Sequence, residues 1–486
     1  MTRTWVGVDL GTQSVRALAV AEDGEPLGVV SRPLRSDRGE DGRHEQDVRS
    51  WWEATAEALA ELSAQLPDDV NVGGVAVDAT SGTLAVLEVD GTPAGPGIMY
   101  DDTRGRGHVE AAQDAGRELW DRQAMRVQGS WALPTLVELG QQHLLTPGRR
   151  VVHQGDVVVE ALVGHPVATD ANQALKTGVD LVTLRWPEEV LAALGVDAAV
   201  LPQVVLPGTR LGEVSPAAAQ RTGLPAGTPV LAGTTDGCAS QLGAGALSVG
   251  EWNSVLGTTL VIKGVSATLL RDPTGAVYSH RSPERGTWLP GGASSTGAGV
   301  LTELLPGADL PGLTEQAAAL GAGDPCYPLA GRGERFPFVA PQARGFGIPQ
   351  GPPAQVLATV AHGVAFLERL AVDRLHLAGA DVSGPVVLTG GGARNRWWNQ
   401  LRADALGVTV RMPEGTEAAL GAAVLAASST LGVRVAADAL VRVHETLDPH
   451  PRPELTAAHL ALVDALAGRG WLPEALAEHA AVRSGR

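Results

Sequence analysis

The sequence of 486 residues contains little lysine, cysteine or aromatic side chain. Lysine occurs only as Lys176 and Lys263, and neither follows a glycine. A Gly-Lys-Ser/Thr phosphate loop is therefore excluded. The His-Arg-Asp and Asp-Phe-Gly motifs of a protein kinase are also missing. If this chain binds nucleotide phosphates, it must use a different kind of loop.

Acidic side chains outnumber basic ones, 54 to 37, which leaves a formal charge of -17 with histidine neutral. This balance argues against a nucleic-acid partner, because such proteins need clustered basic surface. Hydrophobic residues make up 44% of the chain and charged residues 19%, so a large core can form. The length corresponds to roughly two to four domains of typical size.

The two cysteines, Cys238 and Cys326, lie far apart and have no metal-ligand spacing. This pattern indicates a reducing compartment and no disulfide framework. Asp9 interrupts the first apolar stretch too early for a signal peptide. No uncharged apolar run reaches the length of a membrane span. We expect a cytoplasmic globular protein without a membrane partner.

Short strand patterns open the chain, from Trp5 to Leu10, from Val15 to Ala21 and from Pro26 to Val30. A helical pattern then runs from Val48 to about Leu66, with Asp47 as its predicted N-cap. Further strands follow the helix. Strand, turn, strand and then helix indicate an α/β fold with mixed sheets.

The second half repeats this layout. Prolines and glycines from Leu201 to Pro229 predict an irregular connection. Strands at Asn253–Leu256 and Leu260–Val265 then flank a Gly-Thr turn, as in the opening pair. We interpret the repetition as a weak internal duplication that produces two similar halves facing each other across a cleft.

Two of the turns have the same chemical capacity. Gly7 to Arg16 and Gly257-Thr258-Thr259 contain small residues, which leave backbone N–H groups and hydroxyls free for anionic oxygens. Two such hairpins could hold a polyphosphate from opposite sides. A buried Asp9 is costly unless it faces a cation, which suggests a carboxylate near magnesium. A turn-capping aspartate is the alternative.

A third turn, Gly390-Gly391-Gly392, lies between an apolar strand and a helix that begins at Asn395. Asn395 stands where a dinucleotide fingerprint needs its last glycine, so NAD is discounted. A turn without side chains lets a base and ribose lie against the backbone, which suits adenosine. A plain strand-to-helix turn is the alternative.

Asp236 lies at another strand-to-helix junction. There it could accept the proton of a substrate hydroxyl that attacks a phosphorus atom. An ordinary helix N-cap is the alternative, and the local sequence does not choose between the two.

Together these segments resemble the FGGY carbohydrate kinases of the actin-like sugar kinase superfamily. The resemblance runs from Val6 to about Ala427, in the family's order. It implies two actin-like (ribonuclease H-like) domains with mixed sheets flanked by helices and an interdomain cleft. Residues 1–247 would bind sugar and carry the catalytic aspartate, and residues 248–486 would bind nucleotide. The matching segments are Gly7 to Arg16, Glu45-Gln46-Asp47 with Trp51-Trp52, Tyr100 to Arg104, Leu206 to Gly227, Asp236, Gly257-Thr258-Thr259 and Gly390 to Asn395.

The resemblance also implies roles for individual residues. Asp236 matches the catalytic base, which also contacts the sugar, and Asp9 matches the carboxylate near magnesium. ATP and Mg²⁺ are the expected cofactors, and a sugar is the expected small-molecule partner. The positions expected at the sugar are Asp78, Thr80 and Ser81, and those expected at the nucleotide are Thr12, Gln13, Gly257, Thr258, Thr259, Gly391, Gly392 and Asn395. Lys176 and Lys263 are expected to be solvated side chains, or lysines retained by chance in an arginine-rich composition, and not catalytic cations.

Within the family, several segments are similar to D-ribulokinases of the plant and cyanobacterial type, which are often labelled xylulokinases. These segments are His153 to Asp156, Asp170 to Gly178, Val277 to Arg281, Gly291 to Gly297, Tyr327 to Leu329 and Gly333 to Pro337. A typical bacterial xylulokinase carries Gln-Met-His-Gly where this chain has Asp78 to Gly82.

The resemblance therefore implies a kinase that phosphorylates the terminal hydroxyl of a ketopentose, converting D-ribulose to D-ribulose 5-phosphate. A xylulokinase, or another FGGY kinase acting on a polyol or a ketose such as L-ribulose, is the first alternative. An actin-like nucleotide-binding regulator without sugar turnover is the second. A homodimer is compatible with the sequence.

Overall fold

The computed structural model describes residues 2–67, 69–415 and 417–485. Its strands are β1 Thr2–Leu10, β2 Ser14–Ala21, β3 Pro26–Pro33, β4 Asp37–Arg38, β5 His44–Gln46, β6 Val70–Ala79, β7 Leu84–Leu87, β8 Gly97–Ile98, β9 Arg150–His153, β10 Thr169–Asp170, β11 Val204–Val205, β12 Arg210–Glu213, β13 Pro229–Leu231, β14 Trp252–Leu256, β15 Leu260–Gly264, β16 Tyr278–Arg281, β17 Trp288–Ala293, β18 Tyr327–Glu334, β19 Ala340–Phe346, β20 Val386–Thr389, β21 Val410–Pro413 and β22 Val443–Leu447.

The α-helices of the same residues are α1 Val48–Gln65, α2 Val109–Ala115, α3 Arg117–Gln123, α4 Ala132–Gln141, α5 Gln154–Val163, α6 Ala171–Leu175, α7 Glu188–Ala193, α8 Pro216–Thr222, α9 Asp236–Gly243, α10 Gly299–Leu304, α11 Leu310–Ala318, α12 Pro353–Leu377, α13 Arg396–Leu406, α14 Ala418–Leu431, α15 Val433–Leu440, α16 Pro453–Ala467 and α17 Glu474–Arg483. Short 3₁₀ segments lie at Arg104–His108, Ala198–Val200 and Gly391–Arg394.

The chain forms two compact units. The first comprises Met1–Gly245, His280–Thr287 and Gly415–Arg442, and the second comprises Ala246–Ser279, Trp288–Glu414 and Val443–Arg486. The units are therefore not two successive stretches of sequence, because the segment with α14 and α15 belongs to the first unit.

The main sheet of the first unit has the strand order β12-β13-β6-β1-β2-β3. β1 is antiparallel to β2 and parallel to β6, and β13 is parallel to β6. The predicted opening hairpin is confirmed. The predicted cap of α1 is also confirmed, since the Asp47 carboxylate accepts a hydrogen bond from the Arg49 N–H at 3.0 Å. Smaller sheets in this unit have the orders β4-β5-β8-β7-β9 and β10-β11.

The main sheet of the second unit has the order β16-β17-β15-β14-β20-β21-β22, and β18 pairs with β19 beside it. Its last six strands have the same succession of antiparallel and parallel neighbours as β3-β2-β1-β6-β13-β12. The duplicated layout expected from the sequence is present in the strand order, and each copy begins with the hairpin that contains a Gly-Thr turn.

The predicted irregular connection between residues 201 and 229 is wrong, because β11, β12 and α8 lie within it. Two of its Pro and Gly residues, Pro216 and Gly223, mark the ends of α8. Pro216 is at the first turn of α8, the Ser215 hydroxyl caps it by accepting from the Ala218 N–H at 3.2 Å, and Gly223 ends it with φ +72°. Proline at the start and glycine just past the end are ordinary helix boundaries.

Helix α14 lies against β1 and α9 in the core of the first unit. A Cβ at Gly7 would be 1.9 Å from the Ala419 carbonyl oxygen, and one at Gly421 would be 1.8 Å from the Ala239 carbonyl oxygen. Only glycine permits these approaches. They hold the helix that begins at Asp236 beside the strand that contains Asp9.

Helix α12 runs through the core of the second unit. Within the described ranges it is the one helix long and apolar enough to cross a membrane, and 83% of its apolar window is buried inside the fold. A core helix passes the same test of length and composition. Cys238 and Cys326 are buried, and they form no disulfide bond with each other.

Candidate active site

Three carboxylates lie at one edge of the first unit's main sheet. Asp9 on β1 and Asp78 on β6 are register partners on adjacent parallel strands. On the other side of β6, Thr235 pairs with Ala79, and Asp236 follows as the first residue of α9. The sheet thus brings together three acidic side chains from distant parts of the sequence. Thr235, rather than Asp236, is the N-cap of α9.

The three acidic groups differ in their environment. Asp78 is fully buried, and burial, followed by the charge of Asp9, raises its pKa well above the ordinary value. Burial, and then the charge of Asp236, raises the pKa of Asp9 to about 6. Arg16, the cross-strand partner of Asp9, offsets this only in part because it is also paired with Glu417 at 3.1 Å. Asp236 is exposed.

The protonated Asp78 carboxyl donates to Asp9, and among the described residues no other group hydrogen-bonds with the Asp78 oxygens. A group of buried and half-buried acids without a matching cation is costly. This edge of the sheet is therefore suited to a ligand that contains a cation.

The turn after β1 lies next to these acids. The Gly11 N–H donates to the Ser14 carbonyl at 3.0 Å, and the Gln46 amide donates to the Thr12 carbonyl at 2.7 Å. Thr12 is half-buried and Gln13 is exposed. The turn is therefore fixed through its backbone, and the two side chains predicted to contact a nucleotide are accessible.

The segment after β6 contains two hydroxyls, those of Thr80 and Ser81, with different surroundings. The Thr80 hydroxyl lies 2.6 Å from both Gln154 Oε1 and Thr83 Oγ1, so it is already engaged. Ser81 Oγ is buried and has no hydrogen-bond partner among the residues that the structure describes. The Ser81 carbonyl accepts from Lys176 Nζ at 2.8 Å.

Sequence reasoning missed several residues around this edge. The ammonium of Lys176 lies 5.7 Å above the Tyr100 ring, so it is not a solvated side chain. Burial, and then Asp101 and Asp236, raise the pKa of Tyr100, whose hydroxyl hydrogen-bonds with Thr12. Tyr100 and Lys176 both lie in segments that match the family, and this match was the sequence signal that could have identified them as site residues.

Two amides join the strand ends to each other. Gln173 Nε2 donates to the carbonyls of Ala79 at 3.0 Å and Thr234 at 3.1 Å. Asn172 Nδ2 donates to Thr234 Oγ1 at 2.9 Å. These contacts set the spacing between β6 and the residues just before Asp236.

The second unit contains the other predicted residues. The turn between β14 and β15 is closed by the Gly257 N–H, which donates to the Thr259 carbonyl at 3.0 Å. After β20, Gly390 adopts φ +82° and leads into the 3₁₀ segment that contains Gly391 and Gly392.

These two turns border a cavity of about 620 Å³. Asn395 shapes one wall, because its amide oxygen accepts from the Trp398 N–H at 3.1 Å and its amide nitrogen donates to Thr314 Oγ1 at 2.9 Å. The predicted nucleotide-contacting residues that line the cavity are Gly257, Thr258, Gly391, Gly392 and Asn395. Apolar walls beside two small turns suit a flat, partly apolar ligand.

Comparison with known proteins gives consistent matches along the chain. The N-terminal domain of the FGGY family of carbohydrate kinases matches residues 4–243, and its C-terminal domain matches residues 252–430. A xylulose kinase from Streptomyces coelicolor is 33% identical over 449 residues, covering 89% of this chain and 89% of that protein. Another from Streptomyces rubiginosus is 30% identical over 469 residues, covering 91% of this chain and 94% of that protein.

Solved structures agree with these matches. The crystal structure of xylulose kinase from Rhodospirillum rubrum has a TM-score of 0.86 and 26% identity, and the match covers 96% of this chain and 99% of that one. The duplicated mixed sheets and the acidic sheet edge thus define a two-domain α/β carbohydrate kinase. The chain belongs to the FGGY family, and it is an ATP-dependent sugar kinase with ATP and a small-molecule sugar as substrates. The predicted family and fold class are confirmed.

Proposed function

We propose that the protein transfers the γ-phosphoryl group of ATP to the terminal hydroxyl of D-ribulose in its linear form, which gives D-ribulose 5-phosphate and ADP. The observation that carries the proposal is the meeting of Asp236 with Asp9 and Asp78 at one sheet edge. In the reaction, the bond between the γ-phosphorus and the bridging oxygen of ATP breaks as the sugar oxygen bonds to phosphorus. The hydroxyl proton goes to the Asp236 carboxylate.

Asp236 suits this role because it is the exposed member of the three acids. Its carboxylate accepts from the Gly237 N–H at 2.7 Å, which orients it at the first turn of α9. A carboxylate is a far weaker base than an alkoxide, so proton transfer comes late, after charge has moved onto the phosphate. Asp236 then chiefly orients the attacking hydroxyl.

Asp9 is the residue we propose to hold Mg²⁺. The site fits a cation, because Asp9 lies among carboxylates and burial raises its pKa to about 6. No set of three or more His, Cys, Asp or Glu side chains in the described ranges could hold a metal alone. Proteins usually bind Mg²⁺ through one or two carboxylates together with the substrate phosphates. Bound magnesium would neutralise charge on those phosphates.

We place the adenosine of ATP in the 620 Å³ cavity and its phosphates at the Gly257–Thr259 turn that borders this cavity. The family resemblance adds Thr12 and Gln13 of the first unit as proposed phosphate contacts. Backbone N–H groups and hydroxyls of such turns are suitable donors to anionic oxygens. Asn395 would act by shaping the cavity, since both ends of its amide are already engaged.

The sugar is proposed to lie against Ser81, with the fully buried Asp78 behind it setting the charge of the site. Ser81 Oγ has no partner among the described residues, whereas the Thr80 hydroxyl is engaged and would position the segment. Support for D-ribulose comes from this Asp78–Gly82 segment, which stands where a typical bacterial xylulokinase has Gln-Met-His-Gly.

D-xylulose is the second candidate acceptor. The relatives that are 33% and 30% identical to this chain are named xylulose kinases. The two ketopentoses differ only in the configuration at C3, so one site could be adapted to either. A regulator without sugar turnover is less well supported, since it would not need an exposed acid aimed at an acceptor.

A coupled assay of ADP release tests the proposal with D-ribulose, D-xylulose, L-ribulose and a set of polyols. We expect the highest kcat/KM with D-ribulose, and phosphorus NMR should show the phosphate on the terminal carbon. A higher kcat/KM with D-xylulose would replace the proposed acceptor by the second candidate. ADP binding without turnover of any acceptor would contradict the kinase assignment.

A further inference from the structure

Glu334, the last residue of β18, is a buried carboxylate with an unusually complete set of hydrogen-bond donors. It is 3% exposed. Its donors are the hydroxyls of Ser294 at 3.0 Å, Thr296 at 3.0 Å and Tyr327 at 2.6 Å, and the backbone N–H groups of Ser295 at 2.6 Å and Arg335 at 3.0 Å. All five donors are neutral. Burial and the Glu334 charge raise the pKa of Tyr327, so the phenol keeps the proton that it donates.

Three of the five bonds come from the segment Ser294–Thr296. Burying a carboxylate is costly unless its lone pairs are filled, and bonds to an ionised acceptor are stronger than neutral ones. Glu334 therefore adds three hydrogen bonds to the backbone pairing that already holds this short segment.

The same segment supports the turn between β14 and β15. The Leu260 N–H donates to the Thr296 carbonyl at 2.8 Å, and the Ser294 N–H donates to the Leu260 carbonyl at 2.8 Å. Next along the sequence, the Ala298 N–H donates to the Gly257 carbonyl at 2.9 Å.

The contact continues over the following two residues. The Gly299 N–H donates to the Thr258 carbonyl at 3.1 Å. A Cβ at Gly297 would lie 2.5 Å from Thr259 Cα, so the two backbones are in direct contact. Every residue of the Gly257–Thr259 turn is therefore held in position by a segment that is attached to Glu334.

We infer that Glu334 is a positioning residue for ATP: through Ser294–Thr296 it holds the Gly257–Thr259 turn in the conformation that receives the phosphates. The inference rests on the proposed function, which assigns that turn to the phosphates. Glu334 itself is proposed to contact neither ATP nor the sugar. Its loss should weaken the use of ATP and leave the use of sugar unchanged.

Glu334→Gln tests the inference, because glutamine keeps the shape but turns one acceptor oxygen into a donor. We expect the KM for ATP and the Kd for ADP to rise about tenfold, with the sugar KM at saturating ATP changed less than about twofold. The matched control is Asp272→Asn, another buried carboxylate of the same unit, bonded to Thr274, Val277 and Arg374. It should lower the melting temperature without changing the KM for ATP.

Thr296→Val and Thr296→Ser give a milder second test in case Glu334→Gln does not fold. Valine removes one donor to Glu334 and should raise the KM for ATP about threefold. Serine keeps the donor, so the KM for ATP should stay at the value of the parent protein. Lower thermal stability with an unchanged KM for ATP in both Glu334→Gln and Thr296→Val would overturn the inference.

Thr259→Ala separates this inference from the proposal on which it depends. If Thr259→Ala raises the KM for ATP and Glu334→Gln does not, the inference alone is wrong. If Thr259→Ala leaves the KM for ATP unchanged, the phosphate turn itself is wrongly assigned and the inference falls with it.

Discussion

Single side chains at the acidic sheet edge differ mainly in their access to solvent. Asp78 is fully buried, Asp9 is half-buried and Asp236 is exposed at the start of α9. A buried acid cannot reach an acceptor hydroxyl, but it can set the charge that a neighbouring site attracts. Exposure is therefore the property on which we propose Asp236 as the acid that meets the sugar.

Replacing Asp236 by asparagine should lower kcat for sugar phosphorylation by roughly 10²–10⁴-fold, because asparagine cannot take the hydroxyl proton. The Kd for ADP should change less than about threefold. ADP release and calorimetric ADP binding measure the two effects. Glu188→Gln, an exposed acid at the first position of α7, is the matched control and should be fully active. Weak ADP binding with retained turnover would contradict the role of Asp236.

Asp170 links the protonation of a single residue to the stability of the fold. It caps α6 by accepting from the N–H groups of Asn172 at 2.8 Å and Gln173 at 3.1 Å. Burial, reinforced by Asp156, raises its pKa from 3.8 to about 8. The folded state therefore binds more protons than the unfolded state between these two values, and the free energy of unfolding should fall as pH rises through that window.

Asp170→Asn should remove part of this pH dependence, because asparagine keeps an acceptor for the cap and does not ionise. The expected change is a flatter plot of unfolding free energy against pH, by up to about 1.4 kcal/mol per pH unit for one group. Urea unfolding at several pH values between about 5 and 8 measures it. Asp47→Asn, the exposed cap of α1, should leave the slope unchanged. An equal slope in Asp170→Asn and the parent protein would contradict the prediction.

Strands and helices decide which residues meet. The two carboxylates Asp9 and Asp78 are brought into register by the parallel pairing of β1 with β6, across the crossover through α1. Helix α14 then fixes α9 against this sheet through contacts that leave no room for a Cβ at Gly421. The site therefore depends on the packing of α14 although no predicted site residue lies on that helix.

Gly421→Ala should destabilise the protein by at least about 1–3 kcal/mol, because the added methyl would overlap the Ala239 carbonyl oxygen. Thermal or urea unfolding measures the change. The control is Gly140→Ala in α4, whose added Cβ would meet its nearest atom at an ordinary 3.6 Å. That variant should be neutral or gain up to about 1 kcal/mol from helix propensity. Equal stability of the two variants would show that α14 can move away.

At the scale of the whole molecule, one strand arrangement is used twice with different additions. In the first unit, Asp9, Asp78 and Asp236 lie together at one edge of the main sheet. In the second unit, the turn between β14 and β15 borders a cavity of about 620 Å³. Gly391 lines that cavity, and a Cβ there would meet nothing within 4 Å. A larger side chain at this position would occupy part of the space beside the turn without straining the fold.

Gly391→Val should therefore abolish most of the stabilisation by ADP. At about 100 times its Kd, ADP should stabilise the parent protein by about 2.7 kcal/mol by mass action, whereas the variant should gain little. Without ligand, the two should have the same melting temperature. Gly321→Val, an exposed glycine of the same unit that also has open space around its Cβ, should respond to ADP like the parent. Undiminished ADP stabilisation in Gly391→Val would place the nucleotide elsewhere.

Sequence patterns were enough to establish the local elements and the class of the protein. The opening hairpin, the cap at Asp47 and the duplicated Gly-Thr turns could be predicted because each depends on residues a few positions apart. The prediction for residues 201–229 is wrong, since β11, β12 and α8 form within this segment and two of its residues, Pro216 and Gly223, bound the helix.

Which distant residues share a site depends on tertiary packing. Four features join residues that are far apart in the sequence. They are the pairing of Asp9 with Asp78, the return of α14 to the first unit, the contact of Lys176 with Ser81 and the attachment of Ser294–Thr296 to Glu334. Strand register across a crossover is set by how the intervening helix packs on the sheet, and a local pattern contains no record of that packing.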